Sequence, residues 1–181
     1  SINEYGSYTT KTDLNVLKSQ IFLNGEGKLN KLTISNPKGF SGKEFFEVDD
    51  VNILIDIFSV FSKVLIIDNL EIIKPTLYFE INENGKNNIE EIIKNIESRS
   101  NFLNQKVQQQ KNEKIEKKII LKQFIVTDAT FKILVPKSEK VVTLGLSPIK
   151  LNNIGFNENG IKFDLLMSLV LKTIYEQQIG R

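Results

Sequence analysis

The sequence predicts an α+β fold: a strongly twisted antiparallel sheet of roughly seven to nine strands, with a long helix after the central strands and a second helix at the C-terminus. Three observations predict it. Apolar and polar residues alternate over most of the chain, which is the period of strands with one buried face. Two stretches instead carry apolar residues at helical spacing, one at Ile89, Ile92, Ile93 and Ile96 and one from Ile161 to Tyr175. Finally, a strand–break–strand phrase recurs. Leu70-Glu71-Ile72-Ile73-Lys74-Pro75-Thr76-Leu77-Tyr78-Phe79 lies without a gap over Phe124-Ile125-Val126-Thr127-Asp128-Ala129-Thr130-Phe131-Lys132-Ile133. Leu70 then meets Phe124, Ile72 meets Val126, Leu77 meets Phe131 and Phe79 meets Ile133. Leu32-Thr33-Ile34-Ser35-Asn36-Pro37 matches the first half. Such recurrence points to a sheet built by repetition, and to a surface or groove as the functional object.

From about Thr9 to Asn36 the chain reads as a hairpin. Leu14 and Val16 alternate on one parity, Ile21 and Leu23 on the other, so a bulge is expected near Leu17-Lys18. Asn24-Gly25-Glu26-Gly27 supplies residues that tolerate positive φ for the turn. Asn36-Pro37-Lys38-Gly39 ends the return strand, because proline removes a ladder donor. Phe45 to Ile57 is the next strand, and Phe58 to Lys63 a short helical turn. Val64–Ile73 and Thr76–Asn82 are two strand halves around Lys74-Pro75; a proline there implies an edge, a bulge or a crossover.

Glu83-Asn84-Gly85-Lys86 is a turn, after which Asn87 or Asn88 caps a helix whose Glu90 and Glu91 suit the positive end of its dipole. Residues 97–118 read as a polar extension of that helix or an arm. Its lysines are offset by Glu113 and Glu116, so a solvated helix face is favoured over a contact for anionic lipid headgroups. Strand pattern returns over Ile119–Val135, breaks at Pro136-Lys137-Ser138-Glu139, and resumes over Val141–Leu146 and from Ile149 to Gly155. The last helix is apolar around much of its circumference and needs burial against the sheet or a partner.

The 181 residues form one domain, 1–181, large enough for a core of its own. Net charge is +2, with lysines and acids interleaved, so no nucleic-acid partner is expected. The sequence contains no histidine and no cysteine. Cys–His and Ser–His–Asp catalysis are thereby excluded within this chain, as are zinc sites built on those ligands. Asp49-Asp50 reads as a pair of solvated carboxylates rather than the seed of a Mg or Ca site. No enzyme activity, metal or cofactor is expected. No stretch has the length of an apolar membrane span. The chain opens at Ser1-Ile2-Asn3-Glu4-Tyr5 without an initiator methionine or signal peptide, and so reads as a trimmed product.

Several segments together resemble a family. Leu29-Asn30-Lys31-Leu32-Thr33-Ile34-Ser35-Asn36-Pro37-Lys38-Gly39-Phe40 is similar to the L-x-x-L-x-I-x-N-P-x-G-F signature of AsmA-like proteins of Gram-negative envelopes. Ile66 to Leu77 resembles that family's I-x-x-I-x-I-x-x-P-x-I run, and Gly85-Lys86-Asn87-Asn88-Ile89 its G-x-x-N-I/L helix entry. Ser147-Pro148-Ile149-Lys150-Leu151-Asn152-Asn153-Ile154-Gly155 resembles the P-x-I-x-L-x-x-I-G ending of small members. The resemblance implies a periplasmic, non-enzymatic protein tethered to the inner membrane by an N-terminal helix ahead of Ser1. It implies kinship with bridge-like lipid transfer proteins, whose curved sheets form a groove for acyl chains, and a role in phospholipid movement and outer-membrane biogenesis.

On that basis Leu70, Ile72, Leu77, Phe79, Phe124, Val126, Phe131 and Ile133 are the candidate groove residues. Two readings of them stand open. They line a groove for phospholipid or another acyl lipid, or they form the ordinary core that one face of such a sheet requires. An alternative function is a structural module of an envelope complex, self-associating or joining partners through exposed strand edges or helices without lipid.

Overall fold

The structure, a computed structural model, describes residues 14–107, 117–135, 137–138 and 140–178. The start of the expected hairpin at Thr9, the stretch 108–116 and half of the Pro136–Glu139 turn lie outside the described residues. Nine strands form one open sheet: β1 (Leu14–Ile21), β2 (Glu26–Ser35), β3 (Glu44–Ile55), β4 (Val64–Ile73), β5 (Thr76–Glu80), β6 (Lys118–Thr127), β7 (Thr130–Leu134), β8 (Val141–Gly145) and β9 (Ile149–Ile154). Two helices complete the α+β fold, α1 (Asn88–Val107) and α2 (Phe163–Gln178). A 3-10 turn, Ile57–Phe61, joins β3 to β4, started by the Asp56 carboxylate accepting from the Phe58 amide.

The nine strands make six rows. β4 and β5 lie end to end along one edge of β3, β6 and β7 continue that arrangement beside them, and β9 and β8 close it. Each row neighbours the next in sequence. All pairings are antiparallel but two: β4 with β6 and β5 with β7 run parallel. An all-antiparallel sheet is thus corrected to a mixed one. The reason is α1, which lies between the end of β5 and the start of β6. A parallel neighbour needs such a crossover, whereas an antiparallel one needs only a hairpin.

The parallel register pairs Leu70 with Phe124, Ile72 with Val126, Leu77 with Phe131 and Phe79 with Ile133. The gapless overlay of the repeated phrase in the sequence is therefore the hydrogen-bond register of the sheet.

At the break in each phrase the chain adopts a left-handed conformation: φ is 53° at Lys74 and 52° at Asp128. Lys31 in β2, at φ 52°, falls on the same transverse line, between the pairs Asn30–Asp50 and Leu32–Val48. This line is a crease, and the buried parity changes as each row crosses it. Leu77 and Phe79 give way to Leu70 and Ile72, Phe131 and Ile133 to Phe124 and Val126, and Val48 to Val51. A strand has a side-chain period of two, so a left-handed residue at the line lets both halves of a row turn their apolar side to one core. The parity switch in β1 falls on the same line, which β1 and β3 cross without a left-handed residue. The β1 pairing runs from Val16–Leu32 to Lys18–Asn30 without a register shift, so the bulge expected at Leu17-Lys18 is instead the crossing of the crease. A true irregularity sits at Ile34/Ser35 in the β2–β3 pairing.

The core is one continuous cluster. It joins Phe45, Leu77, Phe124, Phe131 and Ile149 of the sheet to Ile89, Ile92, Ile93 and Ile96 of α1 and Leu166, Leu171 and Ile174 of α2. The α1 stripe read from the sequence is thus its buried face. The helices pack chiefly against each other and reach the sheet mainly at β5 and β6. The Glu97 carboxylate accepts from Ser168 Oγ and pairs with Lys172, tying the two helices on their outer side.

Candidate functional site

All eight predicted groove residues fall on one side of the sheet, in or against the core. Leu77, Phe79, Phe124, Val126 and Phe131 are buried in the cluster that includes both helices. Leu70, Ile72 and Ile133 are half-buried at its margin. The rings of Phe79 and Phe131, neighbours across β5 and β7, have centroids 5.7 Å apart in a tilted contact.

The apolar side does not end where the helices end. Val16, Leu32, Phe46, Ile53, Leu70 and Ile72, from β1 to β4, are only partly buried and pack against the same cluster. The register carries this strip across the rows: Ile53 pairs with Leu70 and Leu70 with Phe124, while Phe46 pairs with Leu77 and Leu77 with Phe131. The half-buried strip is thus continuous with the helix-covered core and lies in the same layer.

The opposite side is mixed: Ile73, Ile125 and the exposed Leu54 share it with polar cross-strand pairs. Asn30 donates to Asp50 at 2.8 Å, Asn52 donates to Glu71 at 3.1 Å, and the Tyr78 hydroxyl donates to Glu47 at 2.5 Å. Lys132 stands 5.6 Å from the Tyr78 ring centroid, a cation–π contact. Burial, and then the bond and charge of Glu47, push the Tyr78 hydroxyl up to about 12. These cross-strand pairs give each phrase its polar alternate positions.

Sequence reasoning missed a polar staple at the upper end of the sheet. Asn88, at 0% exposure, accepts from the Glu80 amide at 3.0 Å and donates to the Tyr78 carbonyl at 2.7 Å and to Asn36 Oδ1 at 2.8 Å. Asn87, not Asn88, caps α1, its Oδ1 accepting from the Glu90 amide at 2.7 Å. The buried Glu80 carboxylate accepts from the Ser41 amide and hydroxyl and from the Gly42 amide. The loop 36–42, the end of β5 and the start of α1 are thereby locked together. The usable signal was the pair of asparagines in the N-P-x-G-F and G-x-x-N-I segments, which prove to touch each other.

Clefts open on the surface among the described residues. One, of about 770 Å³, lies between loop 39–42, the end of β5 and the β7–β8 hairpin; another, of about 340 Å³, is lined by Phe22, Asn52, Ile53, Leu54 and Asn69 among others. None of the eight predicted residues lines either. The polar pair Asp49-Asp50 is exposed, with Asp50 engaged by Asn30. No helix among the described residues is long and apolar enough to cross a membrane.

In comparison with known proteins, residues 27–164 match the family model of the AsmA family, well over half of the chain. The match spans the sheet from β2 to β9, the crease, the staple and all of α1. No curated protein matches the sequence.

Proposed function

The chain belongs to the AsmA family, which is envelope-associated, and on that premise we propose that it is a non-enzymatic periplasmic protein that holds phospholipid acyl chains along the apolar side of its sheet. The observation that carries this reading is the strip Val16, Leu32, Phe46, Ile53, Leu70 and Ile72. It continues the core beyond the helix pair and stays partly open. An acyl chain laid there meets only hydrocarbon. Burial of each methylene contributes about 0.8 kcal/mol, so on the order of ten methylenes gives about 8 kcal/mol before the cost of ordering the chain. No special residue is needed, in keeping with a sequence that has neither histidine nor cysteine. The helix-covered residues Leu77, Phe79, Phe124, Val126 and Phe131 act as the floor that fixes the strip, and Leu70, Ile72 and Ile133 as its border with lipid. A tether to the inner membrane and a part in outer-membrane biogenesis belong to the same proposal and rest on family kinship alone.

The test is lipid extraction from purified protein. Leu70→Gln with Ile72→Gln, at half-buried positions, is expected to leave a folded protein with at least about fivefold less bound phospholipid. A folded double variant with unchanged lipid content refutes the strip as the site.

A second reading is favoured by β8. Val141, Val142, Thr143, Leu144 and Gly145 are all exposed, and among the described residues the strand pairs only with β7. An uncharged apolar edge of this kind offers its free backbone groups to another strand. Assembly through β8, without lipid, predicts that Val142→Lys with Leu144→Lys abolishes a complex seen by in-cell cross-linking. A complex unaffected by the lysines excludes that edge.

A further inference from the structure

Four connections share one end of the sheet: the β1–β2 turn at 22–25, the segment 56–63 between β3 and β4, the start of β6, and the β9–α2 loop at 155–162. They form a continuous rim. The Ile55 amide donates to the Gly25 carbonyl at 2.9 Å, the Lys118 amide to the Lys63 carbonyl at 3.3 Å and the Ile119 amide to the Ile161 carbonyl at 2.7 Å. At Gly25 the rim tolerates nothing larger than glycine, because a Cβ would stand 2.1 Å from the Ile55 carbonyl oxygen at a φ of +88°.

Among the described residues, the exposed phenylalanines are Phe22, Phe58, Phe61 and Phe156, and all four sit on this rim. Phe58 and Phe61 are 83% and 90% exposed, Phe156 is 63% exposed, and Leu23 beside Phe22 is 96% exposed. The other end of the sheet carries no exposed aromatic residue among the described ones. Phe58 and Phe61 have a basic setting. Lys63, Lys117 and Lys118 are exposed around them, and the Lys117 ammonium bonds the Val60 carbonyl. The Asp56 carboxylate is turned onto its own backbone at the Phe58 amide. Among the described residues, the exposed acids of the rim are Glu26 and Glu158, at its flanks.

We propose that this rim docks the protein on an anionic bilayer surface, with Phe58 and Phe61 inserting at the headgroup boundary and Lys63, Lys117 and Lys118 facing the lipid phosphates. Protruding aromatic tips on separate loops, interleaved with lysines, suit a fluid interface that closes around each tip. A flat protein partner favours a contiguous face with a desolvated centre. The docking goes beyond the acyl-holding proposal and does not depend on it, because none of the strip residues belongs to the rim.

The experiment is co-flotation with vesicles of phosphatidylcholine alone and of phosphatidylcholine mixed with phosphatidylglycerol. The unaltered protein is expected to float with the mixed vesicles. Phe58→Ser with Phe61→Ser is expected to lower the bound fraction at least about tenfold. Lys63→Glu with Lys118→Glu is expected to remove the preference for phosphatidylglycerol, while Val135→Ser, at an exposed position of the far end, leaves flotation unchanged. Circular dichroism and thermal melting check that each variant is folded, which the exposure of these side chains favours. Phospholipid extracted from the Phe58/Phe61 variant is expected to equal that from the unaltered protein, which separates docking from acyl holding. The proposal is overturned if the unaltered protein does not float, or if the folded Phe58/Phe61 variant floats as well as it does. It is equally overturned if that variant loses self-association in light scattering while the unaltered protein ignores vesicles; the rim is then a contact between copies.

Discussion

Replacement of Asn88 by alanine removes the side chain by which the start of α1 bonds to both loop 36–42 and β5. Three hydrogen bonds go: from the Glu80 amide, to the Tyr78 carbonyl and to Asn36 Oδ1. The Glu80 amide and the Tyr78 carbonyl are left inside the protein without these partners, at about 1–3 kcal/mol each. Asn36 is half-buried and regains water, so its loss is small. The total is about 2–6 kcal/mol, a large part of the about 5–15 kcal/mol that holds a typical domain folded. With a urea m-value of about 2 kcal/mol/M, the midpoint falls by about 1–3 M. Asn88→Asp sharpens the test. It keeps an acceptor for the Glu80 amide but sets a carboxylate against two acceptor oxygens. Its acid form is the one that fits, so the folded-state pKa of the new carboxyl is raised. The penalty is then full above that pKa and eases as pH falls through it. Urea midpoints for both variants, taken at neutral pH and near pH 4, measure this. A shift of less than about 1 kcal/mol for Asn88→Ala, or no recovery of Asn88→Asp in acid, refutes the staple as the element that fixes α1 to the sheet.

Other consequences follow from the crease, the loop and the side of the sheet away from the core. Lys74→Val places a β-branched residue at φ 53° and is expected to cost about 1–2 kcal/mol in urea unfolding, whereas Lys74→Gly is expected to be neutral or mildly stabilising; the reverse order contradicts a left-handed crease. Glu80→Gln weakens three bonds to Ser41 and Gly42 and is expected to lower stability by about 1–3 kcal/mol and to hasten proteolysis within 37–43, read by thermal melting and limited digestion. Tyr78, raised from 10.0 to about 12, is expected to ionise last in an ultraviolet titration, and Tyr78→Phe to delete that late phase. Because the folded-state value is the higher one, the Tyr78 contribution is whole below pH 10 and is lost as pH rises toward 12.

Much of this fold was legible because its local signals agree with each other. Pro75, the Asn24–Gly27 turn and the Ile89–Ile96 stripe each mark an element within a residue or two of where it lies. The overlay of Leu70–Phe79 on Phe124–Ile133 held even more than was taken from it: equal spacing of matching residues is what in-register parallel pairing looks like in sequence. What hid the parallel direction is that alternation reports which side a residue faces and not which way its neighbour runs. The crease was hidden for a related reason. Lys31, Lys74 and Asp128 are unremarkable residues, and their left-handed backbones come from neighbouring rows that all switch parity on one line.

The candidate site was legible in part. The eight alternating residues do share one side, but the sequence gives no measure of how far two helices extend over a sheet. The border between covered and open residues, with Phe131 on one side and Leu70 on the other, is set by where α1 and α2 pack on each other. The rim was illegible because Phe22, Phe58, Phe61 and Phe156 are far apart in the chain, and only the row order brings their loops to one end.

The claim that the apolar strip holds acyl chains is tested most directly by a native mass spectrum of the protein released gently from the envelope of its own cells. The account predicts a polypeptide carrying mass increments of phospholipid, which shrink in Leu70→Gln with Ile72→Gln. A spectrum of bare polypeptide, or of lipid-free assemblies that persist in that variant, contradicts it.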